Sequence, residues 1–168
     1  MRVERADVNS RSRAAGALFE SHIETACDYY RMIGRAEIEK TPEARTVVGR
    51  TGDRKSKMIC VNAKKSQPDF KGTLLGGTSI VFEAKHTDGD RIHQSRVTKE
   101  QADRLDSHMR MGAACYVLVS FSFRLYARIP WEIWRDMGMH YGRKYITCQE
   151  AEAYRVPLPN GVIAFLDM

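Results

Sequence analysis

A chain of 168 residues, 43% hydrophobic and 29% charged, is long enough for one domain with a real core and short for two. No apolar run nears the roughly 20 residues that span a bilayer, and the polar start MRVERADVNSRSR lacks signal-peptide character, so a soluble, cytoplasmic protein is expected. The net charge of +6, from 27 basic and 21 acidic residues, leans toward a polyanionic partner.

In chain order, residues 1–10 are expected as a flexible basic tail, followed by one domain over 11–168. Residues 12–33 predict a helix, because Ala15, Leu18, Phe19, Ile23, Ala26, Tyr30 and Ile33 recur at steps of three and four. Gly34 is its stop. Residues 35–48 predict extended chain broken at Pro42, and GRTGDRKSK (49–57) predicts a turn before the alternating strand MICVN (58–62). Together these make a basic hairpin. LLGGT predicts a second turn, between a strand near Asp69 and a strand over 79–85.

VTKEQADRLDSHMRMG predicts a helix with Thr98 as N-cap, Gln101 as capping-box partner and Ala102, Leu105 and Met109 as its apolar stripe. The continuous apolar run ACYVLVSF (114–121) predicts a strand buried on both faces, with RLYARI (124–129) beside it. A proline-opened helix over 130–137 and a Thr147/Glu150-capped helix over 147–154 follow. GVIAFLDM predicts a closing strand. The sum is a mixed α/β domain around one sheet.

Charge and motif chemistry narrow the function. Between Lys40 and Lys71 nine basic residues stand against three acidic ones, a one-signed bias that points to nucleic-acid contact. Cys27, Cys60, Cys115 and Cys148 form no CxxC, and the histidines form no HxxxH or HExxH, so spacing gives no zinc site. In SIVFEAK, Ile80, Phe82 and Ala84 point to one face and Val81, Glu83 and Lys85 to the other. The turn brings Asp69 beside Glu83. Two close carboxylates repel unless a positive charge separates them. A hard divalent cation with carboxylate and carbonyl oxygens would do so and could activate water at a phosphodiester; an exposed ion pair is the bland alternative.

PD at Pro68–Asp69 followed by EAK at Glu83–Lys85 resembles the PD-(D/E)xK nuclease superfamily. GALFESHIETACDYY (16–30), DFKGTLLGGTSIVFEAKHT (69–87), EQADRLDSHMRMGAACYVLVSF (100–121) and GRKYI (142–146), in that order, resemble RecU-type Holliday junction resolvases of bacteria and their phages. The resemblance implies a restriction-endonuclease-like fold: a mixed central sheet flanked by helices, with a projecting basic hairpin, or stalk, over about 45–66. It also implies a homodimer that cuts four-way DNA junctions in two symmetric places, leaving 5′-phosphate ends. By the same resemblance Asp69, Glu83 and the Ala84 carbonyl bind Mg²⁺, for which Mn²⁺ substitutes. Lys85 is the catalytic lysine, Glu20 contributes from the first helix, and Gln101 lies at the edge of the site. Arg11, Arg13, Arg50, Arg54, Lys55, Lys57, Lys64, Lys65 and Lys71 are the expected DNA contacts. His86 and His93 read as phosphate contacts or surface residues, and Trp131 and Trp134 as packing or interface residues. The rival readings are a restriction- or repair-type nuclease with the same site and a junction-binding protein without catalysis.

Overall fold

The computed structural model describes residues 2–42, 45–50, 58–62 and 67–167, with side chains at 10–42 and 67–167. Helix α1 (Arg2–Met32) starts ten residues before the predicted 12 and takes in the segment expected as a tail. Its buried side chains, Phe19, Ile23, Ala26, Cys27 and Tyr30, keep the helical period and form one stripe. Gly34, at φ 69°, supports the left-handed turn after it.

Strands β1 (Ala36–Lys40), β4 (Phe70–Leu74), β5 (Ser79–Thr87), β7 (Ala114–Phe121) and β8 (Leu125–Pro130) form a five-stranded sheet in the order β1-β4-β5-β7-β8. Only β5 and β7 pair in parallel; the other three pairings are antiparallel. The crossover between them contains α2 (Lys99–Arg110), as a parallel connection needs a long return. Gly72 of β4 lies opposite Ile38 of β1. A Cβ there would stand 2.0 Å from the Glu37 carbonyl oxygen, so no side chain fits.

Both faces of the sheet are covered. α1 packs on the side of Ile38, Phe70, Ile80, Phe82 and Ala84. α2 and α3 (Trp131–Arg135) pack on the side of Val81, Val117 and Val119. The strand β7 is buried from Cys115 to Phe121, which is why its sequence is continuously apolar instead of alternating. Trp131 and Trp134 are fully buried, and their indole N–H groups donate to Asp106 Oδ1 (2.7 Å) and the Gln94 carbonyl (3.3 Å); they are packing residues. Burial pushes the thiols of Cys27 to about 12 and Cys115 to about 11, so both remain protonated core groups.

Short elements complete the domain: α4 (Met137–Tyr141), α5 (Cys148–Ala151), and a separate pair of strands, β6 (Arg91–His93) with β9 (Tyr145–Thr147). The predicted Thr147/Glu150 capping box is present at α5. The predicted closing strand is not. Residues 162–167 make local turns, Ala164 N to Pro157 O (3.0 Å) and Asp167 N to Ala164 O (2.9 Å). Ile163, Ala164 and Phe165 are buried. Phe165 packs against Tyr30 and Phe82 at 5.1 and 5.4 Å between ring centres. Apolar character there serves a plug across the sheet and α1, which period alone cannot separate from a strand.

The expected basic hairpin is present in its two arms. β2 (Arg45–Arg50) pairs antiparallel with β3 (Met58–Asn62), with a register shift between Val47 and Gly49. Its predicted tip lies outside the described residues. Among the described residues no helix is long and apolar enough to cross a membrane.

Candidate active site

The register of the first three sheet strands builds the site. Phe70 opposes Phe82, so Asp69, one residue before β4, lies level with Glu83. Odd-numbered residues of β5 face α2, and even-numbered ones face α1. Glu83 and Lys85 therefore share the α2 face, as the two-residue period predicts. This face is dry: Glu83 is 0% exposed and Asp69 7%.

The Lys85 ammonium lies between the two carboxylates. Its Nζ donates to Glu83 Oε2 at 2.7 Å and Asp69 Oδ2 at 3.2 Å. Asp69 Oδ2 also accepts from the Ala84 N–H at 3.1 Å. A strand residue directs its N–H and C=O toward the same neighbouring strand, so the Ala84 carbonyl faces the Asp69 side as well. Gln101 closes the group from above. Its carbonyl caps α2 by accepting from Thr98 N at 3.1 Å, and its amide nitrogen donates to Glu83 Oε2 at 2.5 Å. One side chain thus serves both the capping box and the carboxylate, and Gln101 and Leu105, one turn apart, are the buried residues of α2.

Charge is expensive here. Burial first, and the adjacent Asp69 second, push the Glu83 carboxyl up to about 8 against the opposing pull of Lys85. Burial works to lower the lysine, but Glu83 and Asp69 outweigh it and the net shift is upward. Glu83 Oε1 is buried and receives no hydrogen bond among the described residues. An acid whose folded pKa lies above its unfolded value near 4.5 favours folding at low pH and loses that contribution as pH rises through about 8. Glu83→Gln should therefore stabilise the metal-free protein relative to wild type as pH rises from 5 to 9, by at least about 1 kcal/mol or about 2–4 °C. Thermal melts in chelator at those two pH values read the difference; equal shifts at both would remove the buried-charge account.

The orphaned Glu83 oxygen and two opposed carboxylates suit a hard, oxygen-seeking cation such as Mg²⁺ or Mn²⁺. Among the described residues no cluster of three or more His, Cys, Asp or Glu side chains could hold a metal. A cation held here would take these two carboxylates, completed by main-chain, hydroxyl or water oxygens.

The remaining predicted residues lie elsewhere. Glu20 is not brought to this face; it pairs with Lys40 Nζ at 3.1 Å, and Glu24 holds the same ammonium at 2.8 Å. Lys40 projects toward α1, one residue out of phase with the Asp69 side of the sheet, which is why Glu20 meets it there. Arg11 and Arg13 are exposed on α1, and Lys71 is an exposed residue of β4 that donates to Gln67 Oε1 at 3.2 Å. Arg50 ends β2, with its side chain outside the described residues, as are Arg54, Lys55, Lys57, Lys64 and Lys65. His86, expected near the surface, is buried. Its Nδ1 lies 3.0 Å from Ser120 Oγ and its Nε2 3.1 Å from Asp88 Oδ1. The alternation that puts Glu83 and Lys85 on the α2 face turns His86 to the opposite one. His93 is exposed beside Tyr145.

Comparison with known proteins agrees with this architecture. The family described as RecU, recombination protein U, matches residues 14–168. The chain is 29% identical over 157 residues to the Holliday junction resolvase RecU of Staphylococcus carnosus, covering 84% of this chain and 73% of that protein. It is 32% identical over 114 residues to the Holliday junction resolvase RecU of Streptococcus gordonii, covering 64% of this chain and 55% of that protein. Among solved structures, Hjc of Archaeoglobus fulgidus, a Holliday junction resolvase from an archaeal hyperthermophile, matches with a TM-score of 0.50 and 14% identity over 83% of this chain and 88% of that one. At that identity the likeness is one of fold: a restriction-endonuclease-like mixed sheet flanked by helices.

Proposed function

The chain belongs to the RecU family, and on that premise we propose that it is a metal-dependent endonuclease that binds four-way DNA junctions and resolves them by paired, symmetric phosphodiester hydrolysis. The observation that carries the chemistry is the dry cluster of Asp69, Glu83 and Lys85 on adjacent strands. Asp69, Glu83 and the Ala84 carbonyl hold Mg²⁺ or Mn²⁺. A cation bound there supplies Lewis acidity at the phosphodiester and an ionised water at neutral pH. Lys85 places a positive charge where negative charge grows on the phosphate in the transition state, in a site where water does not screen it. Gln101 fixes the rotamer of Glu83.

Glu20 acts at one remove. It holds Lys40, whose neighbour Thr41 donates its N–H to the Asp69 carbonyl at 2.8 Å, and so ties α1 to the strand end that presents Asp69. Hydrolysis by attack opposite the 3′ oxygen leaves 5′-phosphate and 3′-hydroxyl ends. Residues 11–168 act as one nuclease domain, with 45–66 as a basic stalk at the junction centre. Arg11, Arg13, Arg50, Arg54, Lys55, Lys57, Lys64, Lys65 and Lys71 contact phosphates, a mode that selects shape without reading sequence. Two copies of the chain supply the two sites for two symmetric cuts, in the nucleoid-containing cytoplasm.

The test is cleavage of a labelled four-way junction with Mg²⁺ beside a linear duplex of the same arms. Paired nicks on the junction and none on the duplex are expected. Equal cutting of both would keep the site and discard junction selectivity. No cutting, with tight junction binding, would leave a binding protein.

A further inference from the structure

Four buried side-chain polar atoms lack a hydrogen-bond partner among the described residues, and two of them, Thr41 Oγ1 and Glu83 Oε1, flank Asp69. Their positions follow from the sheet. Lys40 opposes Phe70, and the Thr41 N–H bond to the Asp69 carbonyl, 2.8 Å, continues that ladder by one residue. Directly opposed residues of an antiparallel pair project to the same face, with Cβ atoms about 5 Å apart. Thr41, Asp69 and Glu83 therefore form one row across three strands, on the α2 side. The preceding row, Lys40, Phe70 and Phe82, projects to the α1 side, as the contacts of Lys40 with Glu20 and Glu24 and the core position of both rings confirm.

A sealed hydroxyl with no partner is unfavourable in itself. Two such oxygens on either side of one carboxylate mark a place where something that takes oxygen donors is expected. The position of Thr41 gives it no packing reason to carry the hydroxyl, since valine has the same shape without the cost. We infer that Thr41 Oγ1 is a third side-chain oxygen of the divalent-cation site, neutral where Asp69 and Glu83 are charged. The inference rests on the reading of those two carboxylates as cation ligands. A hard cation that keeps several of its waters can use a neutral hydroxyl in its shell or hydrogen-bonded to that shell. The sequence carried no sign of this, because a threonine before Pro42 reads as a strand end.

The test needs no DNA. Mn²⁺ is titrated calorimetrically into the full chain, wild type beside Thr41→Val and Thr41→Ser, and each protein is melted in chelator. Thr41→Val should weaken Mn²⁺ binding on the order of 10-fold, and Thr41→Ser should restore most of it. In chelator Thr41→Val should melt at or above the wild-type temperature, because the orphaned hydroxyl is gone. Unchanged Mn²⁺ affinity in Thr41→Val, with wild type binding normally, would overturn the Thr41 assignment alone. A Thr41→Val protein that is also less stable in chelator would assign the hydroxyl to the fold and overturn it too. A wild-type chain that binds no Mn²⁺ would overturn the cation site itself.

Discussion

Asp69→Asn is expected to lower junction cleavage on the order of 10³-fold or more while leaving junction binding intact. The substitution keeps the shape and one carbonyl oxygen. That oxygen can still accept the Ala84 N–H that Asp69 Oδ2 now takes at 3.1 Å, so the turn into β4 should hold. What disappears is one of the two charges available to a divalent cation in a site where water contributes little. Loss of a negative charge beside a phosphate path cannot weaken electrostatic attraction for DNA, and binding in Ca²⁺ should match wild type or exceed it. Single-turnover cleavage and a mobility-shift titration read the two quantities separately. Cleavage within a few-fold of wild type would end the assignment of Asp69 as a cation ligand; matched loss of binding and cleavage would mean that Asp69 supports the fold instead.

Much of this arrangement was legible because the two-residue period of a strand is rigid. It puts Glu83 and Lys85 on one face of SIVFEAK from the sequence alone, and the LLGGT turn then leaves little choice about where Asp69 returns. The capping box at Thr98 and Gln101 was equally local, since it depends on side chains three residues apart. Where contacts are long-range, sequence was a weaker guide. Nothing in EQADRL distinguishes a glutamine that caps its helix from one that also reaches a carboxylate on β5, and Gln101 does both. Glu20 lies on α1, which covers the other side of the sheet, and it meets Lys40 there; which face a helix covers is not written in its own period. Burial of His86 between Ser120 and Asp88 depends on how β7 lies beside β5, 34 residues away in sequence. The terminal segment shows the limit of composition: GVIAFLDM has the apolar content of a strand, but its backbone bonds close locally around a plug formed by Phe165.

Lys85→Met removes the ammonium that bridges the two carboxylates while retaining most of the side-chain volume, and cleavage should fall about 10²–10³-fold. Its effect on stability separates a catalytic ammonium from a mere counter-ion. In the metal-free protein Lys85 draws the Glu83 carboxyl downward from where burial and Asp69 would put it, and the balance stands at about 8. Without the ammonium that carboxyl rises further. Glu83 is then protonated at pH 6, so the variant faces only a modest loss there. At pH 9 wild type holds an ionised Glu83 against a positive partner, whereas the variant must either keep the proton or oppose two buried anions. The stability gap between the two proteins should therefore widen from pH 6 to pH 9 in urea titrations with chelator present. Lys85 itself does not blur this sign, because its own pKa is raised from 10.5 and it stays charged throughout that window. Addition of Mn²⁺ should close the gap at pH 9, since the cation supplies the missing positive charge, yet cleavage should stay low. Recovery of both stability and cleavage on Mn²⁺ addition would show that charge balance was the whole role of Lys85, and the proposed stabilisation of the transition state would have to be assigned to another group.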